Sequence, residues 1–502
     1  MLKYRSLEIN YIFLDLYNLS ALILLSVSTI IYVILMLKIK LKYQEKEYLM
    51  KCFKNRYNNL SYIIFTILSL FSISLIFNNN VWFDEAYTLS LIQHNYSEVI
   101  EILKSDMHPP LYFISLKFFC EIFGYSILVT KIFSVLGYIA TLLLGCTVVK
   151  KHFGSDTSVV YMLTIGAIPM SLYFSVQQRS YEWCIFFVTL CFIEALLFIK
   201  SCKYRHCIIF VIAALFAAYN HIYALLAVGI IFAFLNIYIF TKSKKLIKAI
   251  ILSDISIIIG YFPWIIPLLY QTEAAAGSFW LKGVEPLSVV VFASGLVIST
   301  LILAKKENRR LSVIFAITCV LSVQAIGLLV TIFIRPFYIA RYSVVISGIF
   351  ALLVAFGTQH IKEKVKNIIC VLLCALNVAC LIGTGIFEYN PSMNNFFNRF
   401  DEIASSTDTF LYCDSSFGIL SYYYPENTHI CTYYEPWFSA FDNVDCVNKN
   451  DIVNDIDFDN TVWFVKNELT KTPDYIKDNF ILELTDRFKC DFNTFEVYSI
   501  QK

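Results

Sequence analysis

Long apolar runs recur along most of this chain, and short clusters of lysine and arginine separate them. A helix needs about 20 apolar residues to cross the ~30 Å of hydrocarbon in a bilayer. Twelve candidate spans can be read, at 19–37, 60–78, 126–149, 157–175, 180–199, 207–219, 222–240, 249–269, 286–303, 311–333, 342–358 and 368–387. The sixth is short and the weakest of them. Composition agrees, since 58% of the 502 residues are hydrophobic and 16% are charged, against about 25% charged in a soluble domain. The run Leu19 to Leu37 is too long for a signal-peptide core, and no small-residue cleavage site follows it. It is expected to remain as a span. The sequence therefore predicts a polytopic α-helical membrane protein.

The basic clusters have a direction. Cytoplasmic loops concentrate Lys and Arg. The stretches KIKLKYQEKEYLMKCFKNR at 38–56, KK at 150–151, KSCKYR at 200–205, KSKKLIK at 242–248, AKKENRR at 304–310 and KEKVK at 362–366 hold 23 of them. With twelve spans, all six fall on one side. The opposite loops, with the span ends that face them, hold seven: Lys104, Lys117, Lys131, Arg179, Lys282, Arg335 and Arg341. This asymmetry predicts both termini outside the cytoplasm.

From Asn390 the chain changes character. Residues 390–502 carry 19 Asp and Glu against 8 Lys and Arg, a balance of −11 in a chain whose total is +2. Short β-rich runs (TFLYC at 409–413, HICTYY at 429–434, TVWFVK at 461–466, FEVYSI at 495–500) alternate with helical stretches, FNRFDEIASS and TPDYIKDNF. That order suggests a small, separate α/β domain. It contains no phosphate-binding glycine loop and no nucleophile elbow, so a structural or acceptor-docking role is expected of it. Three units follow: an extra span and basic loop at 1–59, a membrane domain at 60–389 and an extracytoplasmic α/β domain at 390–502. The 15 cysteines are scattered without a CxxC pair, which argues against a zinc or iron–sulfur site. Cys413, Cys431, Cys446 and Cys490 of the tail show no paired spacing and are expected to be inessential.

The polar residues that remain gather in the loops opposite the basic clusters. VWFDEAYTLSL at 81–91 sets Asp84 and Glu85 side by side just past a span. DMHPPLYF lies at 106–113, QQRSYEW at 177–183, YNHIY at 219–223, YQTEAAAGSFWLK at 270–282 and RPFYIARY at 335–342. Ionisable groups cost about 2.5–3.5 kcal/mol each at mid-bilayer on insertion scales. One such group can be a snorkelling anchor, but several clusters on one face describe a polar cavity at the outer interface. Between the acids and HPP, Ser97 can cap a short helix whose apolar face is Val99, Ile100, Leu103 and Met107. Two prolines then break it, and a peripheral helix restarts at Leu111. Asp84 and Glu85, adjacent in an extended loop, would point to opposite sides.

A carboxylate beside a membrane can act as a general base, and nearby cations can stabilise a phosphate leaving group. The outer face has no nucleotide sugars to draw on. A sugar linked to a polyprenyl phosphate supplies a donor whose tail lies among the spans. These features agree with glycosyl transfer. A lipid-linked glycan polymerase and a transporter or flippase are the alternatives; a transporter would place its charges nearer the midplane and often shows internal repeats.

WFDEAYTL followed by SDMHPPLYF, at 82–113, resembles the first outer loop of the GT-C fold glycosyltransferases. The similarity is to the glycosyltransferase family 39-like proteins, which include protein O-mannosyltransferases and lipid A aminoarabinose transferases. SVQQRSYEW at 175–183, AAYNHIYALL at 217–226, GYFPWIIPLL at 260–269 and RPFYIARYSVV at 335–345 match further blocks in the same order, so the resemblance spans about residues 60 to 360. It implies an inverting transfer from a polyprenyl-phosphate sugar to a glycan, protein or glycolipid acceptor, with no nucleic acid involved. Asp84 matches the catalytic aspartate and Glu85 the neighbouring acid. Glu85 is expected to support the site, by pairing with a cation such as Arg179 or Arg341 or by helping to hold a metal. The resemblance implies no required cofactor, with Asp84 or Glu85 the places for an optional divalent ion. His108 stands where relatives carry a basic residue near the lipid phosphate. Asp106, Arg179 and Tyr181 match recurring positions, Arg341 and Tyr342 match a late motif that reaches phosphate or sugar, and His221 and Arg335 lie in the matching blocks as substrate-binding candidates.

Overall fold

The computed structural model describes residues 46–278, 284–305, 310–335, 338–432, 436–447, 452, 456 and 458–501, with side chains from residue 59 except at 272–278 and 436–437. The candidate span 19–37 lies outside the described residues, as do part of the basic loop after it and parts of the stretches 270–282, 304–310, 335–345 and 429–434.

Among the described residues nine helices are long and apolar enough to cross a membrane: Asn59–Phe77, Ile127–Phe153, Tyr181–Ser201, Ile222–Lys242, Lys244–Gln271, Pro286–Leu303, Leu311–Phe333, Ala340–Gly357 and Glu363–Phe400. Each coincides, within a few residues at its ends, with or includes one of the expected spans. Two further expected spans take a different form. The stretch 157–175 is broken into Ser155–Gly166 and Pro169–Phe174. Pro169 opens the second helix, and a proline ring disfavours helical backbone in the residue before it. Ile168 accordingly turns extended, with ψ 107°. The stretch 207–219 is the fifteen-residue helix Tyr204–Ala218, about 22 Å long.

Helix Tyr181–Ser201 is the centre of the bundle. It packs against Ile127–Leu144, Tyr204–Ala218, Ile222–Lys242 and Ser347–Gly357, and buries residues around its circumference, among them Ile185, Val188, Phe192 and Leu196. At one end of the bundle the basic loops meet. Lys150 donates to Ser61 at 3.0 Å, Lys366 to Asp156 at 2.8 Å, and His206 meets Glu194 at 2.6 Å with its ring 6.4 Å from that of His152.

The other end carries three short helices, Phe83–Leu91, Tyr96–Ser105 and Leu111–Phe123. Asn95, rather than Ser97, caps the second: its side chain accepts from the amides of Ser97 and Glu98, both at 3.1 Å, and Glu98 returns a bond to the Asn95 amide. The buried face of this helix includes Val99, Ile102 and Leu103. The third helix begins at Leu111 after the two prolines. Its thirteen residues reach about 20 Å, too short to cross. Gly124, at φ 95°, ends it, and Ser126 caps the span that follows.

Residues beyond Asn390 form a six-stranded mixed sheet in the order β3-β2-β1-β4-β6-β5. Its strands are β1 (Thr409–Tyr412), β2 (Thr428–Cys431), β3 (Val444–Cys446), β4 (Val462–Asn467), β5 (Ile481–Cys490) and β6 (Asn493–Gln501). The first four pair in parallel, and β6 runs antiparallel to both β4 and β5. The domain is not packed separately. One face of the sheet, with Phe417, Phe438, Phe441 and Phe488, shares a hydrophobic core with Val81, Tyr87, Val99 and Phe113 of the short helices. Cys413, Cys431, Cys446 and Cys490 form no disulfide among the described residues.

Candidate active site

Asp84 and Glu85 lie in the first turn of helix Phe83–Leu91, not in an extended loop. Trp82 enters in extended conformation, and the Glu85 Oε2 accepts from its amide at 3.3 Å. Acids are favoured there, where the unpaired amides of a helix begin. Successive residues on a helix are about 100° apart, so the two carboxylates still leave on different faces.

Asp84 faces two guanidiniums. Its Oδ2 is 3.5 Å from Arg341 Nη1 and 3.9 Å from Arg179 Nε. Arg179 is nearly buried, with 6% of its side chain exposed, and the Asp84 side chain keeps 18%. Arg179 Nη1 also donates to the Asp84 carbonyl and to Thr88 Oγ1, each at 3.3 Å, and Nη2 lies 2.6 Å from His108 Nε2. His108 Nδ1 is 2.7 Å from Asp106 Oδ2, which also accepts from the Tyr87 hydroxyl at 2.8 Å. Burial works against the Asp106 charge, but His108, Tyr87 and the Met107 amide hold its carboxyl below the usual range. Next to the guanidiniums stands an aromatic wall. Tyr181 lies 5.6 Å from the His221 ring, His221 lies 5.4 Å from Tyr342, and Tyr342 stacks on Tyr223 at 4.9 Å. The Arg341 guanidinium sits over Tyr342 at 5.6 Å. Burial, with the cations around it, holds the His221 imidazole well below its ordinary range. Its Nδ1 caps the next span by accepting from the Tyr223 amide.

Glu85 faces away from that group. Its Oε1 accepts from the Gln178 amide at 3.1 Å, and the expected pairing with Arg179 or Arg341 is not made; Asp84 takes both. Around Glu85 are Lys131, Glu388 and Gln177. Glu388 accepts from Asn78 at 2.8 Å and from Gln177 at 3.1 Å, and Gln177 accepts from the Trp82 indole. Lys131 is fully buried, and among the described residues its ammonium has no hydrogen-bond partner. Burial pushes the Glu85 pKa up to about 8; the Lys131 ammonium opposes this and the Glu388 carboxyl adds to it. A carboxyl that keeps its proton to that pH is a poor base at neutrality. Asp84, facing the guanidiniums, is the better placed of the two.

Of the candidates named from the sequence, Asp84, Asp106, His108, Arg179, Tyr181, His221, Arg341 and Tyr342 are brought together. Arg335 lies half-buried just beyond Leu311–Phe333, and Glu85 lies on the other face of its helix. Sequence reasoning missed Thr88, Tyr87 and the Glu85 surroundings. Lys131 carried a signal, a single lysine inside the apolar run ILVTKIFSVL. Gln177 and Gln178 sat in the quoted QQR block. Glu388, at the end of the last span, and Asp491, in the sheet domain, share a pocket lining with Glu85 and gave none, because only tertiary packing brings them near it. No group of three or more His, Cys, Asp or Glu able to hold a metal occurs among the described residues.

The fold defines a class, the polytopic GT-C-like helical membrane protein with a small C-terminal sheet domain. Two solved structures share it, both of ArnT, a lipid A aminoarabinose transferase, from Cupriavidus metallidurans. The apo form superposes with a TM-score of 0.62 and the form bound to undecaprenyl phosphate with 0.58. Each is 10% identical, and each match covers 87% of this chain and 97% of the other. No protein-family model matches the chain, and no curated protein matches it in sequence.

Proposed function

We propose that this membrane protein is a glycosyltransferase that moves a sugar from a polyprenyl-phosphate donor to a hydroxyl acceptor at the outer face, by inverting single displacement. The observation that carries the reading is Asp84, a partly open carboxylate with Arg341 at 3.5 Å and Arg179 at 3.9 Å, set among aromatic rings beside the membrane helices. The solved relative with undecaprenyl phosphate bound supports a lipid phosphate as the donor's anchor. The acceptor oxygen attacks the anomeric carbon as the bond from that carbon to the phosphate oxygen breaks, and the electron pair leaves with the phosphate. The two guanidiniums balance the charge that develops on it. The proton of the acceptor hydroxyl passes to Asp84. Tyr181, His221 and Tyr342 offer ring faces to the sugar. Asp106 and His108 stand behind Arg179. The guanidiniums supply the positive charge in this reading, so a chelator should leave turnover unchanged.

The test is transfer from a radiolabelled polyprenyl-phosphate sugar by the purified protein. Asp84→Asn keeps the shape and removes the base, and should lower turnover by about 10²–10⁴-fold while donor binding persists. Loss in Glu85→Gln with near-normal Asp84→Asn would reverse the roles. Full activity in both would refute a catalytic role for this turn.

A further inference from the structure

We infer that His108 acts in this chain as a neutral positioning residue, holding the Arg179 guanidinium for the donor phosphate, and makes no cationic phosphate contact of its own. The inference rests on the glycosyl-transfer reading above.

Hydrogen-bond roles decide the matter. A guanidinium can only donate, and an ionised carboxylate can only accept. Arg179 Nη2 lies 2.6 Å from His108 Nε2, so Nε2 must accept and carries no proton. Asp106 Oδ2 lies 2.7 Å from Nδ1, so Nδ1 carries one. The ring between them is therefore a neutral imidazole in a single tautomer. Asp106 is buried and tied in turn to the Tyr87 hydroxyl at 2.8 Å. The groups that face His108 are Asp106, Tyr87, Arg179, His221 and the edge of Phe113, and Gln271 reaches its carbonyl at 3.5 Å.

The same contacts fix the guanidinium. Both Nη1 hydrogens are engaged, by the Asp84 carbonyl and by Thr88. Nε faces the Asp84 carboxylate, and one Nη2 hydrogen goes to His108. Among the described contacts, one Nη2 hydrogen is left to donate to an incoming oxygen. A lysine at 108 would set an ammonium against this guanidinium. The fixed positive charge lies on Arg179, and the imidazole aims it.

The test measures undecaprenyl phosphate binding by the purified full chain in detergent, with transfer assayed in parallel. In His108→Gln the amide oxygen can still accept from Arg179, so affinity should stay within about threefold of the unaltered chain. His108→Lys should weaken it about tenfold or more, the scale of one charge-assisted hydrogen bond. Asp106→Leu takes away the acceptor that keeps the proton on Nδ1 and holds the ring, so it should weaken binding similarly. It carries the test if His108→Lys does not fold. The affinity ratio between the unaltered chain and His108→Gln should stay constant between about pH 6 and 8, where an imidazole titrates. Binding by His108→Lys at least as tight as by His108→Gln, or a ratio that falls with rising pH, overturns the inference alone. An unaltered chain that binds no undecaprenyl phosphate overturns the proposed function and this inference with it.

Discussion

Glu85 is 1% exposed and keeps its proton to about pH 8, where an ordinary glutamate ionises near 4.5. Between those two values the folded chain binds more protons than the unfolded one, so stability must fall as pH rises across the window. The slope is at most about 1.4 kcal/mol per pH unit. The thermal midpoint of the unaltered chain should drop, relative to Glu85→Gln, as the buffer is moved from the acid end of this window to its alkaline end. Parallel curves would mean that Lys131 keeps Glu85 ionised. The paired acids were legible in the sequence as a site, but their division of labour was not. What separates them is the helical turn that gives Asp84 to the guanidiniums and Glu85 to a buried pocket.

Among the elements, the apolar spans follow from run length, since a bilayer fixes how much helix is needed. Their close contacts rest on small residues. A Cβ at Gly137, in Ile127–Leu144, would stand 3.0 Å from the Trp183 amide nitrogen and 3.1 Å from the Glu182 carbonyl carbon. Backbone cannot yield, so Gly137→Ala should push this helix off Tyr181–Ser201 and cost about 1–3 kcal/mol. A Cβ at Gly229 meets nothing within 4 Å, so Gly229→Ala should be neutral or gain up to about 1 kcal/mol of helix propensity. Thermal unfolding of the two variants side by side checks the contrast; equal midpoints would refute it. Shorter elements were less legible. Strand β3 has three residues, too few for a pattern. In β5 most side chains between Ile481 and Lys489 are exposed or half-buried at the sheet edge, with a register shift between Leu484 and Asp486, so no apolar stripe marks it.

At the scale of the whole molecule, the sheet domain holds the segment that leads into Asp84. Phe83 meets Phe417 edge-on at 6.0 Å and stacks with Phe441 at 6.4 Å. The Tyr423 hydroxyl accepts from the Val81 amide and donates to the Asn79 carbonyl, both at 2.9 Å. A Cβ at Gly418 would come within 2.7 Å of the Phe83 ring. Gly418→Leu and Tyr423→Phe should therefore lower turnover by about tenfold, through misplacement of Asp84, with little change in undecaprenyl phosphate binding. Normal turnover in both would make the domain a passenger. Orientation has its own test. The 23-to-7 asymmetry of Lys and Arg predicts that a reporter fused after Lys502 is active only in an exported form. Activity in the cytoplasmic form would reverse the assignment.

Run length, charge clusters and the acid-rich tail needed no coordinates to be read. Each is a local property, governed by how many apolar residues a bilayer demands and by where charged loops can remain. WFDEAYTL, DMHPPLYF and QQRSYEW pointed to the site for the same reason, as polar residues out of place in an oily chain. Tertiary structure decided what those residues do to one another. The pairing of Asp84 with Arg341 spans 257 positions of the chain, and the Glu85 pocket is completed by Glu388. His108 reads as a basic residue in sequence and becomes a neutral acceptor once Asp106 and Arg179 flank it. Protonation and partner choice depend on burial and on distances of a few ångströms. Those are set only when helices from distant parts of the chain pack together.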